Sequence, residues 1–293
     1  MTAVDRRGPA ATGPRRRPAA AGRNGGATLW AGLVLVGLVV LAAVVSVWWT
    51  PFDPEGVFPD SILRPPGTEH LLGTDSFGRD VFSSILRGAQ IALLVGTVAV
   101  GIAAGLGVPF GIVAGMNPGR LDQFMMRGND ISLAFPALLL AIIFGAIFGA
   151  GTITAMVALG IGTAPAFALI ARSGTMQIMS REYVLAARAA GKSGLFIGVR
   201  HILPNISGML IVQASVSFGI AVLAEAALSY LGLGTPPPTP SWGRMLQEAQ
   251  GYLFVEPLLI LWPGIAIAIL VLGFNLLGDG LRDRFDPRMQ VKR

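Results

Sequence analysis

The sequence contains no cysteine and only two histidines among 293 residues. Without thiols there can be no disulfide, no cysteine nucleophile and no cysteine-ligated metal. His70 and His201 stand apart with no companion ligands in the sequence, so no metal site is expected. Charge is scarce as well. Asp, Glu, Lys and Arg make up 13% of the chain, against roughly 25% in an ordinary soluble domain. In their place stand 53% hydrophobic residues and a mean hydropathy of +0.66. That balance excludes a conventional soluble domain and identifies an integral membrane protein.

The net charge of +6 suggests an acidic or nucleic-acid partner until it is localised. Six arginines against one aspartate fall between Met1 and Thr28, which leaves the body almost neutral. A nucleic-acid-binding body is therefore not expected. This Arg/Pro/Gly/Ala-rich tail has no apolar period and is expected to be disordered. Its Arg6-Arg7 and Arg15-Arg16-Arg17 could serve export or anionic lipid, but a topology anchor is the blander reading.

What is present in quantity is uncharged apolar sequence. Leu29 to Trp49 holds 21 residues without a charge, about 31 Å as a helix against a hydrocarbon core of about 30 Å. Further uncharged runs are Ile91 to Met116, Ile131 to Ala150, Thr152 to Ala171 and Pro257 to Gly278, while Ile206 to Leu231 carries Glu225 alone. Backbone groups in lipid must be satisfied within the chain, so six helical spans are expected. With alternate connections on opposite sides, Lys and Arg number eighteen on one side and four on the other. The basic side is expected to be cytoplasmic, with both termini there.

Within the spans, Gly101 and Gly105, and Gly107, Gly111 and Gly115, recur four apart and share helix faces that allow close approach. Pro136, Pro165 and Pro263 remove backbone donors and should bend a span or mark its end. In the first loop, 50–90, Asp75 is expected to cap an amphipathic helix at Asp80 to Gln90, with Val81, Phe82, Ile85 and Leu86 on its apolar face.

The longest charged segment between apolar runs is Arg181 to Asn205, REYVLAARAAGKSGLFIGVRHILPN. Ala186 to Ser193 meets the loosest phosphate-loop pattern, but the preceding EYVLAARAA favours helix, the first glycine is missing and no magnesium-binding Asp follows a strand nearby. Two short helices around Gly191 account for it better. Leu195, Phe196, Val199, Ile202 and Leu203 would form one apolar face ending at Pro204, with Arg188, Lys192 and Arg200 outward. An ordinary amphipathic loop and a docking element both fit this spacing. Glu225 is the one clearly intramembrane carboxylate, and a structural hydrogen bond and a gate or cavity role both stay open. Midplane ionisable groups suited to ion coupling are otherwise lacking.

At Ala186-Ala187, Gly191, Leu203 and Pro204 the chain resembles the cytoplasmic "EAA" loop of ABC-importer permeases, with Leu185 and His201 replacing the usual Glu and Ile. His70 to Gln90 (HLLGTDSFGRDVFSSILRGAQ), YVLAARAAGKS with HILPN, Ala227 to Leu246 (ALSYLGLGTPPPTPSWGRML) and Asn275 to Arg288 (NLLGDGLRDRFDPR) are similar to the DppC/OppC-like second permease subunit of dipeptide, oligopeptide and nickel importers. Ser84 and Gln90 stand where relatives usually show Arg.

The resemblance implies an all-α type I permease fold in a bacterial plasma membrane. It would comprise a core over 91–279, a cytoplasmic coupling loop at 172–205 and a C-tail at 280–293. It implies a homologous second permease subunit, two ATP-binding subunits that hold ATP and Mg, an extracytoplasmic peptide-binding protein and membrane lipid as partners. This chain itself would hold no cofactor and catalyse nothing. Glu182, Ala186, Ala187, Arg188, Gly191, Lys192, Ser193, Leu203 and Pro204 would form the ATPase-coupling element. Short peptides are the expected cargo, with nickel or another small solute as alternative. A self-sufficient secondary transporter or channel and a membrane scaffold remain as readings from other classes.

Overall fold

The computed structural model describes residues 25–285. The Arg-rich tail up to residue 24, and the C-tail beyond residue 285, lie outside the described residues. Among the described residues ten α-helices follow one another: α1 (Gly25–Trp48), α2 (Val81–Met116), α3 (Arg120–Leu133), α4 (Ala137–Phe148), α5 (Thr152–Met179), α6 (Glu182–Ala189), α7 (Gly194–Ile197), α8 (Leu203–Tyr230), α9 (Trp242–Ala249) and α10 (Leu258–Phe285). Among the described residues the only β pairing is an isolated bridge between Thr74 and Asp80.

Among the described residues five continuous helical stretches are long and apolar enough to cross a membrane, or six when the bent pair of α3 and α4 is counted as one broken span. The break is a bend of 77°. Pro136 occupies the N-cap of α4, where it lacks an N–H and biases Phe135 away from helical geometry. The bend expected at Pro136 is thus present, inside the uncharged run from Ile131 to Ala150. The 12 residues of α4 extend only about 18 Å, short of the roughly 30 Å core. Pro165 and Pro263, by contrast, lie inside unbroken helices, as does Pro109.

Three boundaries differ from expectation. α1 starts at Gly25, so its first turn takes up residues assigned above to the tail. There it packs close to α10, where a Cβ on Gly280 would come within 2.7 Å of Leu29. The separate amphipathic helix over 80–90 is instead the first part of the 36-residue α2, because nothing between Gln90 and Ile91 breaks the helix. Its cap is Asp80, whose carboxylate accepts the Ser83 N–H at 2.8 Å. Asp75 closes the preceding turn, accepting the N–H groups of Phe77 and Arg79. Finally, Pro204 does not stop a short helix. Residues Gly198–Ile202 form a π-turn that joins α7 to α8 without interruption. The wider turn carries the chain past a residue that cannot donate to the ladder.

α2 and α5 run parallel and make the tightest helix pair. A Cβ on Gly107 would lie 2.2 Å from the Ala164 carbonyl oxygen, and one on Gly111 2.2 Å from that of Ala168. Gly101 and Gly105, on another face of α2, meet nothing within 4 Å. The two glycine faces therefore differ: one is internal and the other open. α1 packs antiparallel on α10, and α8 packs against α10, α2 and α5. Buried residues gather in successive clusters along the bundle, from Trp242, Phe218 and Leu270 at the α9 end to Phe167, Ile197 and Ile206 at the α6 end. α1 leaves Leu33, Val34, Leu38 and Leu41 exposed, with Trp30 at one end and Trp48 at the other. This is the pattern of an apolar lipid-facing helix flanked by interfacial aromatics.

Candidate functional site

The segment between α5 and α8 is a hairpin held to the bundle by a few side chains and otherwise open. α6 has no side-chain cap, but Glu182 in its first turn complements the helix dipole. Val184 is fully buried and joins Ile197, Ile202, Ile206, Phe167 and Ala171 in one cluster. The Arg188 guanidinium reaches back to the Met116 carbonyl at 3.4 Å.

At the C-terminus of α6, Gly191 adopts φ +71°. Its N–H donates to the Arg188 carbonyl and the Lys192 N–H to that of Ala187, at 2.9 and 3.1 Å. This is the glycine-terminated Schellman arrangement, in which a left-handed residue satisfies the last carbonyls. Ser193 then caps α7, its hydroxyl accepting the Phe196 N–H at 3.2 Å. The ammonium of Lys192 lies 5.3 Å from the centre of the Phe196 ring.

Ala186, Arg188, Gly191, Lys192, Ser193, Leu203 and Pro204 are all exposed, Ala187 is half-buried, and Glu182 is exposed at the start of the hairpin. The apolar face read from spacing is split. Ile202, together with Ile197, points inward, while Leu195 is 79% exposed and Val199 is also out. The inserted π-turn residue shifts the phase of the helix, so one spacing cannot hold across it. What protrudes is a surface of small residues rimmed by Leu195, Val199, Arg188 and Lys192. The N–H groups of Ala190, Gly191 and Lys192 all donate to carbonyls of α6. They are therefore not available to wrap a phosphate, in agreement with setting that motif aside.

At the opposite, α9 end, Glu225 of α8 is 2% exposed. Its Oε1 accepts the hydroxyls of Ser229 at 2.6 Å and Thr235 at 3.2 Å, and Ser241 lies close to the carboxylate. The Ser229 hydroxyl accepts the Thr235 N–H at 2.9 Å, and Thr152, the first residue of α5, donates to Thr235 Oγ1 at 3.2 Å. The carboxylate thus has hydroxyl partners for a burial that would otherwise be costly.

The loop after α1 is folded onto the same end. Arg79 pairs with Asp75 at 2.6 Å and with Glu248 of α9, which also pairs with Arg244 at 2.7 Å. His70 has a partner that its isolation in sequence did not disclose, the Asp80 carboxylate at 3.0 Å. No group of three or more metal-ligating residues occurs among the described residues. Gln90 donates to Ser46 of α1 at 2.7 Å, while the buried Ser84 hydroxyl has no partner.

Between these ends, the bend of α3 and α4 against α2 and α5 encloses an open space of about 540 Å³, walled by Leu106, Phe110, Phe135, Ile161 and Pro165 with Asn129 on its lining. Asn129 donates to the Pro165 carbonyl at 3.3 Å. Arg172 of α5 grips Asp122 of α3 through two hydrogen bonds of 2.5 and 2.7 Å. Sequence reasoning missed this pair.

The described residues thus combine a bent helix pair, a protruding hairpin between two long helices and a folded cap at the other end. Residues 107–291 match the family described as "binding-protein-dependent transport system inner membrane component". The chain belongs to that family. It is an inner-membrane, multi-pass permease, similar to the di/tripeptide transport system permease protein DppC of Pseudomonas aeruginosa, 42% identical over 88% of each chain. A putative peptide transport system permease protein of Brucella suis is 44% identical over 89% of this chain and 88% of its own. The glutathione transport system permease protein GsiD of Escherichia coli is 40% identical over 86% of this chain and 84% of its own. Among solved structures, the permease fold is similar to a chain of the inward-facing MetNI methionine ABC transporter, with a TM-score of 0.56 at 20% identity over 69% of this chain and 96% of that one. The architecture is the type I permease fold.

Proposed function

We propose that this permease forms half of the translocation path of an ATP-driven importer for short peptides. The hairpin of α6 and α7 would be the element on which a cytoplasmic ATPase subunit acts. The carrying observation is the hairpin's construction. Val184 and Ile197 fix it to the core between α5 and α8, while Ala186, Ala189, Ala190 and Gly191 remain exposed. Small side chains admit close approach by a partner's groove, and the buried residues pass a displacement to both long helices.

The side bias of eighteen basic residues against four supports placing the α6 end in the cytoplasm and the α9 end outside. Peptide cargo is supported by the relatives, which are named for di/tripeptide, peptide and glutathione transport. A homologous permease would supply the other half of the path, two ATPase subunits would bind ATP and Mg, and an extracytoplasmic protein would deliver the peptide to the α9 end. ATP-driven closure of the ATPases would then bias the paired permeases between inward- and outward-open states.

The test is reconstitution of the complete complex with Gly191→Asp in this chain. An aspartate forced into left-handed geometry, facing outward, should leave membrane insertion and α5/α8 packing intact. Peptide uptake and peptide-stimulated ATP hydrolysis should both be lost. Wild-type rates in both assays would refute the assignment, and uptake by this chain alone without ATP would replace it with a self-sufficient transporter.

A further inference from the structure

The hydroxyl cluster around Glu225 adds polar links between elements that also pack at the α9 end, where Ala155 and Met156 of α5 join Leu228 of α8 in one apolar cluster. Glu225 and Ser229 belong to α8, Thr235 to the loop after it, Ser241 is the N-cap of α9, and Thr152 opens α5. α5 and α8 are also the two helices that hold the α6 hairpin between their other ends. The cluster is closely fitted: a Cβ on Gly234 would come within 2.1 Å of the Ser229 hydroxyl, and one on Gly243 within 2.2 Å of the Ala226 carbonyl. From Ser241 the connection continues. Its hydroxyl accepts the Arg244 N–H at 3.3 Å, Arg244 pairs with Glu248, and Glu248 pairs with Arg79 of the folded loop after α1. Trp242 adds a hydrogen bond to the Ile85 carbonyl of α2 at 3.0 Å.

The geometry points to Glu225 as a positioning residue, the keystone of a bracket that joins α5, α8 and α9 at the end opposite α6. The inference rests on the function proposed above. A displacement of α6 enters α5 and α8 together. If their far ends were independent, the displacement could dissipate as separate tilting of the two helices. With Glu225 holding Thr235 and Ser229, and Thr235 holding Thr152, the far ends move as one body that carries α9 and the loop around Arg79. Docking of a delivery protein on that end would act back along the same connection, since coupling between two sites is reciprocal. Such a connection requires demonstration through coupling energies, not proximity.

The experiment uses the complete complex in lipid nanodiscs and measures ATP hydrolysis with and without saturating binding protein loaded with a dipeptide or tripeptide. Thr152→Val removes the hydroxyl link to α5 while leaving the Ser229 and Thr235 bonds to Glu225. It should assemble normally, keep the basal rate and lower the stimulation ratio at least about fivefold. Thr152→Ser, which keeps the hydroxyl, should restore the ratio. Glu225→Gln, which keeps shape but loses acceptor capacity, should reduce stimulation further. A purely local packing role would lower assembly and both rates together. Wild-type stimulation in assembled Thr152→Val complexes would overturn the proposal, as would failure of Thr152→Ser to rescue. Absence of peptide-dependent stimulation in the wild-type complex would instead count against the function on which the inference rests.

Discussion

Asp122 and Arg172 are fifty positions apart in the chain, and their side chains meet in a two-point contact of 2.5 and 2.7 Å. Both are largely shielded, with 9% and 26% of the side chain exposed. A fork-to-carboxylate pair of this kind fixes orientation as well as distance, so it holds the first turn of α3 against α5. Asp122→Ala strands a guanidinium against the bundle and should cost about 1.5–3 kcal/mol. Arg172→Ala should cost a similar amount, and the double variant less than the two together. Thermal unfolding of the purified permease pair checks this, and strict additivity would show that the two side chains act independently. No local pattern joins these residues, which is why sequence reading passed over them. Glu225 was legible as a lone charge in an apolar run, and so was its role as a problem to be solved. Its i+4 neighbour Ser229 was within reach of helical spacing, but Thr235 and Ser241 arrive through a loop whose course no periodicity describes.

At the scale of the element, glycine spacing disclosed two small-residue faces of α2 but not that one packs on α5 while the other stays open among the described residues. The difference is now a prediction. Gly111→Val would drive its side chain into the Ala168 carbonyl and should cost more than the 1–3 kcal/mol typical of overpacking, because backbone cannot yield as a side chain does. Gly101→Ala meets nothing and should gain up to about 1 kcal/mol of helix propensity. Yield and thermal midpoint of the two variants separate them, and equal behaviour would mean that α2 and α5 do not pack as described. The long uncharged runs were legible as spans because lipid permits little else. Their ends were not, since helices continue into polar sequence wherever tertiary contact supports them. α2 extends back to Val81 under Asp80, α5 runs on through Arg172 to Met179, and α8 is entered through a π-turn. Pro136 broke its span while Pro109, Pro165 and Pro263 did not. At Pro136 the α3–α4 bend turns away from the bundle, with Ala134, Phe135 and Pro136 all exposed. Pro165 and Pro263 are buried among neighbouring helices, whereas Pro109 is exposed within an unbroken α2.

For the whole molecule, the division between a small-residue hairpin at one end and a folded, ion-paired cap at the other makes orientation the property on which function turns. The absence of cysteine offers a direct measurement, since any single cysteine introduced would be the only thiol in the chain. Lys192 is exposed on the hairpin, and Phe254, 97% exposed, lies on the loop between α9 and α10. Phe254→Cys should react with a membrane-impermeant maleimide in intact spheroplasts. Lys192→Cys should react only after permeabilisation, and less once the ATPase subunits are bound. The reverse labelling pattern would invert the topology and with it the assignment of α6 as the ATPase-facing element. If Lys192→Cys stayed fully reactive in the assembled complex, the orientation would stand but the docking surface would have to lie elsewhere.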